Sequence, residues 1–421
     1  MSQDMISVDE ARRRTIELAS QARFRMPVEK VDLFAAVGRV AAADLTSDID
    51  VAPFDNTAMD GFAVVSSSLD DASEDSPVEL EIVDWVGAGV VSQVTLEPGQ
   101  AIRIMTGGIM PEGADAVVKI EDTTFTGDGG VGEHVRMCAP VTKTNVRKAG
   151  EEAKAGDVVV RKGEVIRAAT VGLLASTGNT TVPVYARPKV GVISIGTELV
   201  KPPAKPEPGK IRDANAYVLG AYALELGCEV ELYPIVEDDE SAIHALFERA
   251  IAECDFVVSS GGASNGDFDY AIETVRELGE VVFDCVSLRP GKAQAFGCVG
   301  NTLVEVLSGN PAAAAVGFQL FGRPALRAMQ GFADLDRPVS EAILAQPTRK
   351  KEARAFFQRG HLELGEDGQL LACQEEKQSS ALLSEMNRST VLIELPQGTG
   401  TFEAGTPVRC LHLDIDEGTV I

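Results

Sequence analysis

The chain has 421 residues, of which 45% are hydrophobic and only 5% aromatic, so it can build several cores, packed mainly from Val, Ile, Leu and Ala. At roughly 100–200 residues per domain, that length predicts two to four domains. Lys and Arg total 38 against 64 Asp and Glu, a formal net charge of −26, which argues against nucleic acid or an anionic membrane surface as partner, since both need a basic face.

The first predicted element is a helix. Ser7 and Glu10 form a capping-box pattern, and Val8, Ala11, Ile16 and Ala19 roughly keep helical spacing. From about residue 45 to 150, short Val/Ile-rich runs (Val78 to Trp85, Ala101 to Ile104, Ala116 to Ile120, His134 to Met137) alternate with Gly, Pro and Asp turns, which predicts a β-rich region. The acidic, Ser-rich stretch Ser66 to Pro77 is expected to be an exposed loop. A helix is predicted over Ala168 to Ser176, and the texture changes at Arg187-Pro188. From there, strands (Lys189 to Ile195, Glu229 to Val236, Phe256 to Ser259, Thr302 to Leu307) alternate with helices (Asn215 to Leu226, Glu240 to Glu253, one ending near Gly279, Ala312 to Phe321). That alternation predicts a mostly parallel sheet covered by helices on both faces. Between them, Lys201 to Lys210 (KPPAKPEPGK) is too rich in proline for a helix and is expected to be a mobile loop beside a site. After residue 337 the pattern returns to β (Phe356 to Leu364, Gln369 to Cys373, Val391 to Leu395, Val408 to Leu413), a small C-terminal sheet or barrel.

Ligands of open α/β sheets bind at the carboxyl ends of the strands. Four loops leave such ends: IGTELV, VEDDE, SSGGASNGDFD and LSGNP. Gly-rich turns ahead of helices expose N–H groups suited to phosphate or other oxyanions; here they contain Ser260, Gly261, Gly262, Gly309 and Asn310. Glu198, Asp238, Asp239, Asp267 and Asp269 supply hard oxygens suited to magnesium, although Asp239 or Ser241 would equally serve as a helix cap. Arg289 and Lys292 flank the tight turn RPGK, either an oxyanion grip or a solvated hairpin tip. Upstream, PFDNTAMDGFAV, RIMTGGIMPEGADAVV and NVRKAGEE contain Asp60, Thr106 and Arg147 without a reaction written into their spacing.

The seven Cys (138, 228, 254, 285, 298, 373 and 410) show no Cys-x-x-Cys pair, and the four His are not clustered. Reduced thiols in a cytoplasm are therefore expected, and a zinc site is not. No signal peptide is expected from MSQDMISVDEARRR, and no apolar run approaches the ~18–20 residues of a membrane span.

In order and separation, PFDNTAMDGFAV, RIMTGGIMPEGADAVV, NVRKAGEE, SIGTEL, SSGGASNGDFDY, RPGKAQAFG and SGNP resemble the molybdopterin molybdenumtransferase family, which includes bacterial MoeA proteins and the E domain of gephyrin. The resemblance implies four regions: a helical linker domain (1–50 and 149–187), an inserted β domain (51–148), a molybdopterin-binding α/β domain (188–336) and a C-terminal β-barrel (337–421). It implies a cytoplasmic homodimer that takes adenylylated molybdopterin and molybdate as substrates with Mg2+, with contacts to the adenylyltransferase and to cofactor-receiving enzymes. Family site positions match Asp60, Thr106, Arg147, Glu198, Asp238, Asp269 and Lys292, with Glu198, Asp238 and Asp269 as magnesium ligands. Molybdate-holding positions match Arg289, Lys292, Arg354 and Ser380. The chain departs from the family where Arg289 replaces the usual Lys, Ala293 and Ser308 replace Pro, Glu152 replaces Asp, and SIGTEL lacks the second acid of STGDEL. Two other readings stay open from the residues alone: a nucleotide pyrophosphatase indifferent to molybdate, and a non-catalytic scaffold.

Overall fold

A computed structural model of the chain describes residues 5–262 and 270–419. The chain divides into two compact units, Lys30–Val182 and a second made of Met1–Glu29 with Pro183–Ile421.

The unit Lys30–Val182 is built on a six-stranded sheet in the order Ala116–Lys119, Gly61–Val64, Gln100–Ile104, Val78–Val86, His134–Met137, Thr123–Phe125. Side chains alternate across it. Phe62, Val64, Leu80 and Ile82 enter one core, while Ala63, Val86, Ile102 and Ile104 enter another on the opposite face. Gly61 allows the close pairing with the Ala116–Lys119 strand, because a Cβ there would meet the Val118 carbonyl oxygen at 2.0 Å. The expected exposed loop Ser66 to Pro77 differs. It opens with a short 3-10 turn, Ser66–Leu69, and Leu69 is fully buried because it drops into the sheet's core.

In the other unit, the helix Val8–Ala19 begins as predicted, with the Ser7 hydroxyl accepting the Glu10 N–H at 3.1 Å. Glu10 does not complete the box; its carboxylate turns to Arg13 and Arg14 instead. The central sheet runs Glu229–Leu232, Lys189–Ser194, Phe256–Ser260, Thr302–Leu307, Ala293–Val299, Glu280–Cys285. The first four strands are parallel and the last two antiparallel. Parallel strands buried on both faces read as continuous apolar runs, and VGVIS and FVVSS are buried throughout. The helix predicted to end at Phe321 runs on through a π turn, Phe318–Gly322, into Arg323–Met329. The Lys201 to Lys210 loop is tied at both ends by a two-residue parallel ribbon, Leu199–Val200 with Ile211–Arg212.

The C-terminal strands close into a five-stranded barrel. Around it run Ala355–Leu364, Leu370–Gln374, Val339–Leu344, Pro407–His412 and Val391–Leu395, which pairs back onto Ala355–Leu364. Its interior holds Leu344, Phe356, Ala372, Ile393, Val408 and their neighbours. The ribbon Leu288–Arg289 pairs parallel with the start of the Ala355–Leu364 strand, which sets Arg289 opposite Phe356 and brings the barrel to the sheet edge. Among the described residues, no helix is long and apolar enough to cross a membrane.

Candidate active site

The carboxyl ends of the parallel strands open into one cavity of about 820 Å³, lined by Glu198, Asp238, Gly261, Gly262, Arg289, Lys292, Gly309, Asn310, Arg354 and Ser380. Volumes of roughly 300–1,000 Å³ suit a ligand of small-molecule size. Backbone geometry fixes the floor. Gly261 has φ +94°, and a Cβ on it would meet the Ile195 carbonyl oxygen at 2.2 Å, so only glycine fits that turn. Asn215 ties the two glycine loops together, its amide donating to the Ser260 hydroxyl at 2.6 Å and to the Gly309 carbonyl at 2.8 Å. Ser260 is accordingly buried beneath the loop and supports it, whereas the sequence suggested a direct ligand contact.

Asp238 and Asp239 part company. Asp239 caps the helix Glu240–Glu253, accepting the Ala242 N–H at 2.8 Å. Asp238 faces the cavity, with Oδ2 accepting the Thr197 N–H at 3.0 Å and the Thr197 hydroxyl at 2.9 Å. Its Oδ1 has no protein partner among the described residues. Asp269 and Asp267 lie outside the described residues.

On the opposite wall, the RPGK turn is braced from within by Gln294, which donates to the Gly291 carbonyl at 2.7 Å. The Arg289 guanidinium stacks over Phe356, 4.2 Å from the ring centroid, a contact that lysine's compact ammonium makes less well. Arg354 donates to the Leu288 carbonyl at 2.9 Å and pairs with Glu352. The Ser380 carbonyl accepts the Ala312 N–H at 2.9 Å, docking its segment on the start of the Pro311–Gly317 helix. Two of the departures noted above meet here: the Ser308 hydroxyl donates to the Ala293 carbonyl at 2.7 Å, linking the SGNP and RPGK turns.

The chain is 36% identical to the molybdopterin molybdenumtransferase of Bacillus subtilis over 98% of its own length and 95% of that protein's, and 34% identical to that of Staphylococcus aureus strain COL over 98% and 96%. It belongs to the molybdopterin molybdenumtransferase family. Family models agree along the chain: the MoeA N-terminal region (domain I and II) matches residues 6–178, a probable molybdopterin binding domain 191–328, and the MoeA C-terminal region (domain IV) 341–413. The solved structure of the MoeA molybdopterin biosynthesis protein from Pyrococcus horikoshii superposes with a TM-score of 0.82 at 30% identity, covering 97% of this chain and 99% of that one.

Three of the site residues expected from the sequence lie in the unit Lys30–Val182. Asp60 precedes the Gly61–Val64 strand and Thr106 follows Gln100–Ile104, and the pairing of Gly61 with Ile104 brings them together. Asp60 Oδ1 accepts both the N–H and the hydroxyl of Thr106, each at 2.6 Å, which holds its carboxyl below the usual carboxylate range. Arg147 is exposed on a two-residue ribbon opposite Asn56.

The sequence reading missed Glu352, Arg359 and Asn215. Glu352 is an acid inside a cationic wall; the Arg354 guanidinium beside it holds its carboxyl below the usual range. Arg359 is fully buried and donates to the Ser379 carbonyl at 2.9 Å, shaping the segment that ends in Ser380. An Arg in an alternating strand is the only sequence signal that pointed to it.

Proposed function

We propose that this chain hydrolyses adenylylated molybdopterin and inserts molybdate into the dithiolene, releasing AMP and molybdenum-loaded molybdopterin. The observation that supports this most is the sharing of one cavity by the carboxylates of Glu198 and Asp238 at the strand ends, two glycine loops and three cationic side chains, Arg289, Lys292 and Arg354. A diphosphate linked to a pterin needs the first two, and a tetrahedral oxyanion needs the third.

Glu198 and Asp238 present hard oxygens to the cavity, and Asp238 Oδ1 has no protein partner among the described residues, so the donor set fits magnesium, with Asp269 as a further expected ligand. When bound there, magnesium offsets the charge of the diphosphate. The chain's own part is positional. Thr197 locks the Asp238 carboxylate in place. The Gly261 N–H holds the Leu307 carbonyl at 3.0 Å, and the backbone N–H groups of Gly262, Gly309 and Asn310 are offered to the phosphates while a water adds to the AMP phosphorus and the anhydride P–O bond breaks. Arg289, Lys292, Arg354 and Ser380 hold molybdate beside the dithiolene as its two sulfurs bind molybdenum and one oxo group leaves as water with the two thiol protons. Asp60, Thr106 and Arg147 belong to the same assignment as catalytic residues. It carries the four-domain division given above, a homodimer in the cytoplasm, and contacts with the adenylyltransferase and cofactor-receiving enzymes.

The test is incubation of the purified chain with adenylylated molybdopterin, magnesium and molybdate. AMP release and molybdenum-loaded cofactor are expected; hydrolysis that ignores molybdate and yields no loaded cofactor overturns the assignment.

A further inference from the structure

The barrel carries a second constellation that the cavity does not use. The strands Ala355–Leu364 and Leu370–Gln374 pair antiparallel with His361 directly opposite Cys373. Leu362 and Ala372 point into the barrel core, so the alternation of a strand turns His361, Glu363 and Cys373 outward on the same face. One ligand atom from each of these three lies within 4.8 Å of the others. His361 Nε2 stands 3.1 Å from Glu363 Oε1, and its Nδ1 stands 3.4 Å from Glu375 Oε1. Glu375 is in turn approached by the Arg388 guanidinium at 3.7 Å.

We propose that His361, Glu363 and Cys373 form a binding site for a zinc-class divalent cation, with Glu375 orienting the histidine. A thiolate, an imidazole and a carboxylate are the donor set of zinc, not of magnesium, which takes oxygen alone. Tetrahedral zinc places its ligand atoms roughly 3.3–3.7 Å apart, given bonds of ~2.0–2.3 Å, so the three, now within 4.8 Å of one another, need to close by at most about 1.5 Å. A metal-bound histidine ordinarily donates its other ring N–H to a carboxylate, which fixes the tautomer. Glu375 Oε1, 3.4 Å from Nδ1, needs only a small turn of the ring to take that role, which leaves Nε2 for the metal on the side where Glu363 stands. Water fills the fourth position. Because the ligands come from both strands, the ion clamps the hairpin at its outer end. Paired only with each other, the same residues would be a surface ion pair, which has no use for the thiol; the test turns on that sulfur.

The experiment is a titration of the full-length, chelator-treated protein with Co2+ and then Zn2+. One equivalent of Co2+ is expected to give a near-ultraviolet thiolate-to-cobalt band with tetrahedral visible bands, which one equivalent of Zn2+ removes. C373S loses the thiolate band, H361Q weakens binding at least tenfold, and E375Q weakens it about 10–100-fold. Circular dichroism melts of each metal-free variant check its folding, and reading H361Q beside C373S keeps the result decisive if one of them unfolds. A wild-type chain without the thiolate band, or a band that persists in folded C373S, overturns the site. Neither result bears on AMP release, since an oxygen-only site gives no thiolate band.

Discussion

The two compact units each hold an aspartate clasped by one threonine, and the comparison shows how little the clasp decides by itself. In the unit Lys30–Val182, Thr106 gives both its N–H and its hydroxyl to Asp60. In the other unit, Thr197 gives the same two donors to Asp238. The first clasp joins the ends of two antiparallel strands. The second sits at the end of a parallel strand, and its aspartate shares a cavity with Glu198, Arg289, Lys292 and Arg354. The same two hydrogen bonds thus hold an exposed carboxylate between two strand ends in one place and aim a carboxylate into a cavity in the other; the neighbours supply the chemistry.

The comparison breaks first at Asp238. If the cavity is the hydrolytic centre, Asp238→Asn lowers AMP release by about 10²–10³-fold, since it removes an anionic ligand of the magnesium that would offset the charge of a polyanionic transition state. Thr197 keeps donors for the new side chain, so the thermal melt should not move; a loss under tenfold in a folded variant places hydrolysis elsewhere. The cationic wall comes next. Arg354→Ala is expected to raise the half-saturating molybdate concentration ~10–100-fold, the scale of a lost charged hydrogen bond, while AMP release stays within about threefold, a division the oxyanion role requires. A proportional fall in both would merge the two halves of the cavity into one.

Glu352 sharpens the contrast in the other direction. It is paired with Arg354, so Glu352→Gln should tighten molybdate by at most about fivefold, the range of a partly exposed ion pair; isothermal titration with molybdate measures it, and weaker binding would mean that Glu352 organises the wall. The smallest effect concerns Asp60. Its folded carboxyl is held down by Thr106, so its contribution to stability is present above the unfolded pKa and is lost as pH falls through the folded one. Thr106→Val leaves only the backbone donor. The Asp60 titration, followed by carboxyl carbon NMR, then moves up toward the ordinary range; an unmoved titration would show that the hydroxyl adds nothing.

Much of this was legible in the residues. The parallel strands announced themselves as short β-branched runs ending in glycine loops, and the SSGG and SGNP turns were read as sites because glycine there frees backbone N–H groups. The RPGK turn and Arg354 were harder, since an isolated basic tetrapeptide reads equally well as a solvated tip. Only the pairing of Leu288–Arg289 with the barrel strand sets both arginines on one wall. The cysteine and histidine spacing argued against zinc, because His361 and Cys373 stand far apart along the chain and become opposite partners only through strand register. Leu69 escaped for a related reason: a lone apolar residue in an acidic stretch has no periodicity, yet it fills a core.

By itself the sequence determined the alternation of strands and helices, the loops that glycine alone can form, and the membership of a family whose strings recur in order. These are local or nearest-neighbour properties, set by side-chain period and backbone sterics. The tertiary structure alone decided which charges share a space: that Asp238 faces the cavity while Asp239 caps a helix, that Glu352 sits against Arg354, and that Ser260 and Arg359 hold walls without lining them. Those outcomes depend on strand register and on which element packs behind each loop, and Coulomb and hydrogen-bond terms act over a few ångströms that no spacing along the chain encodes.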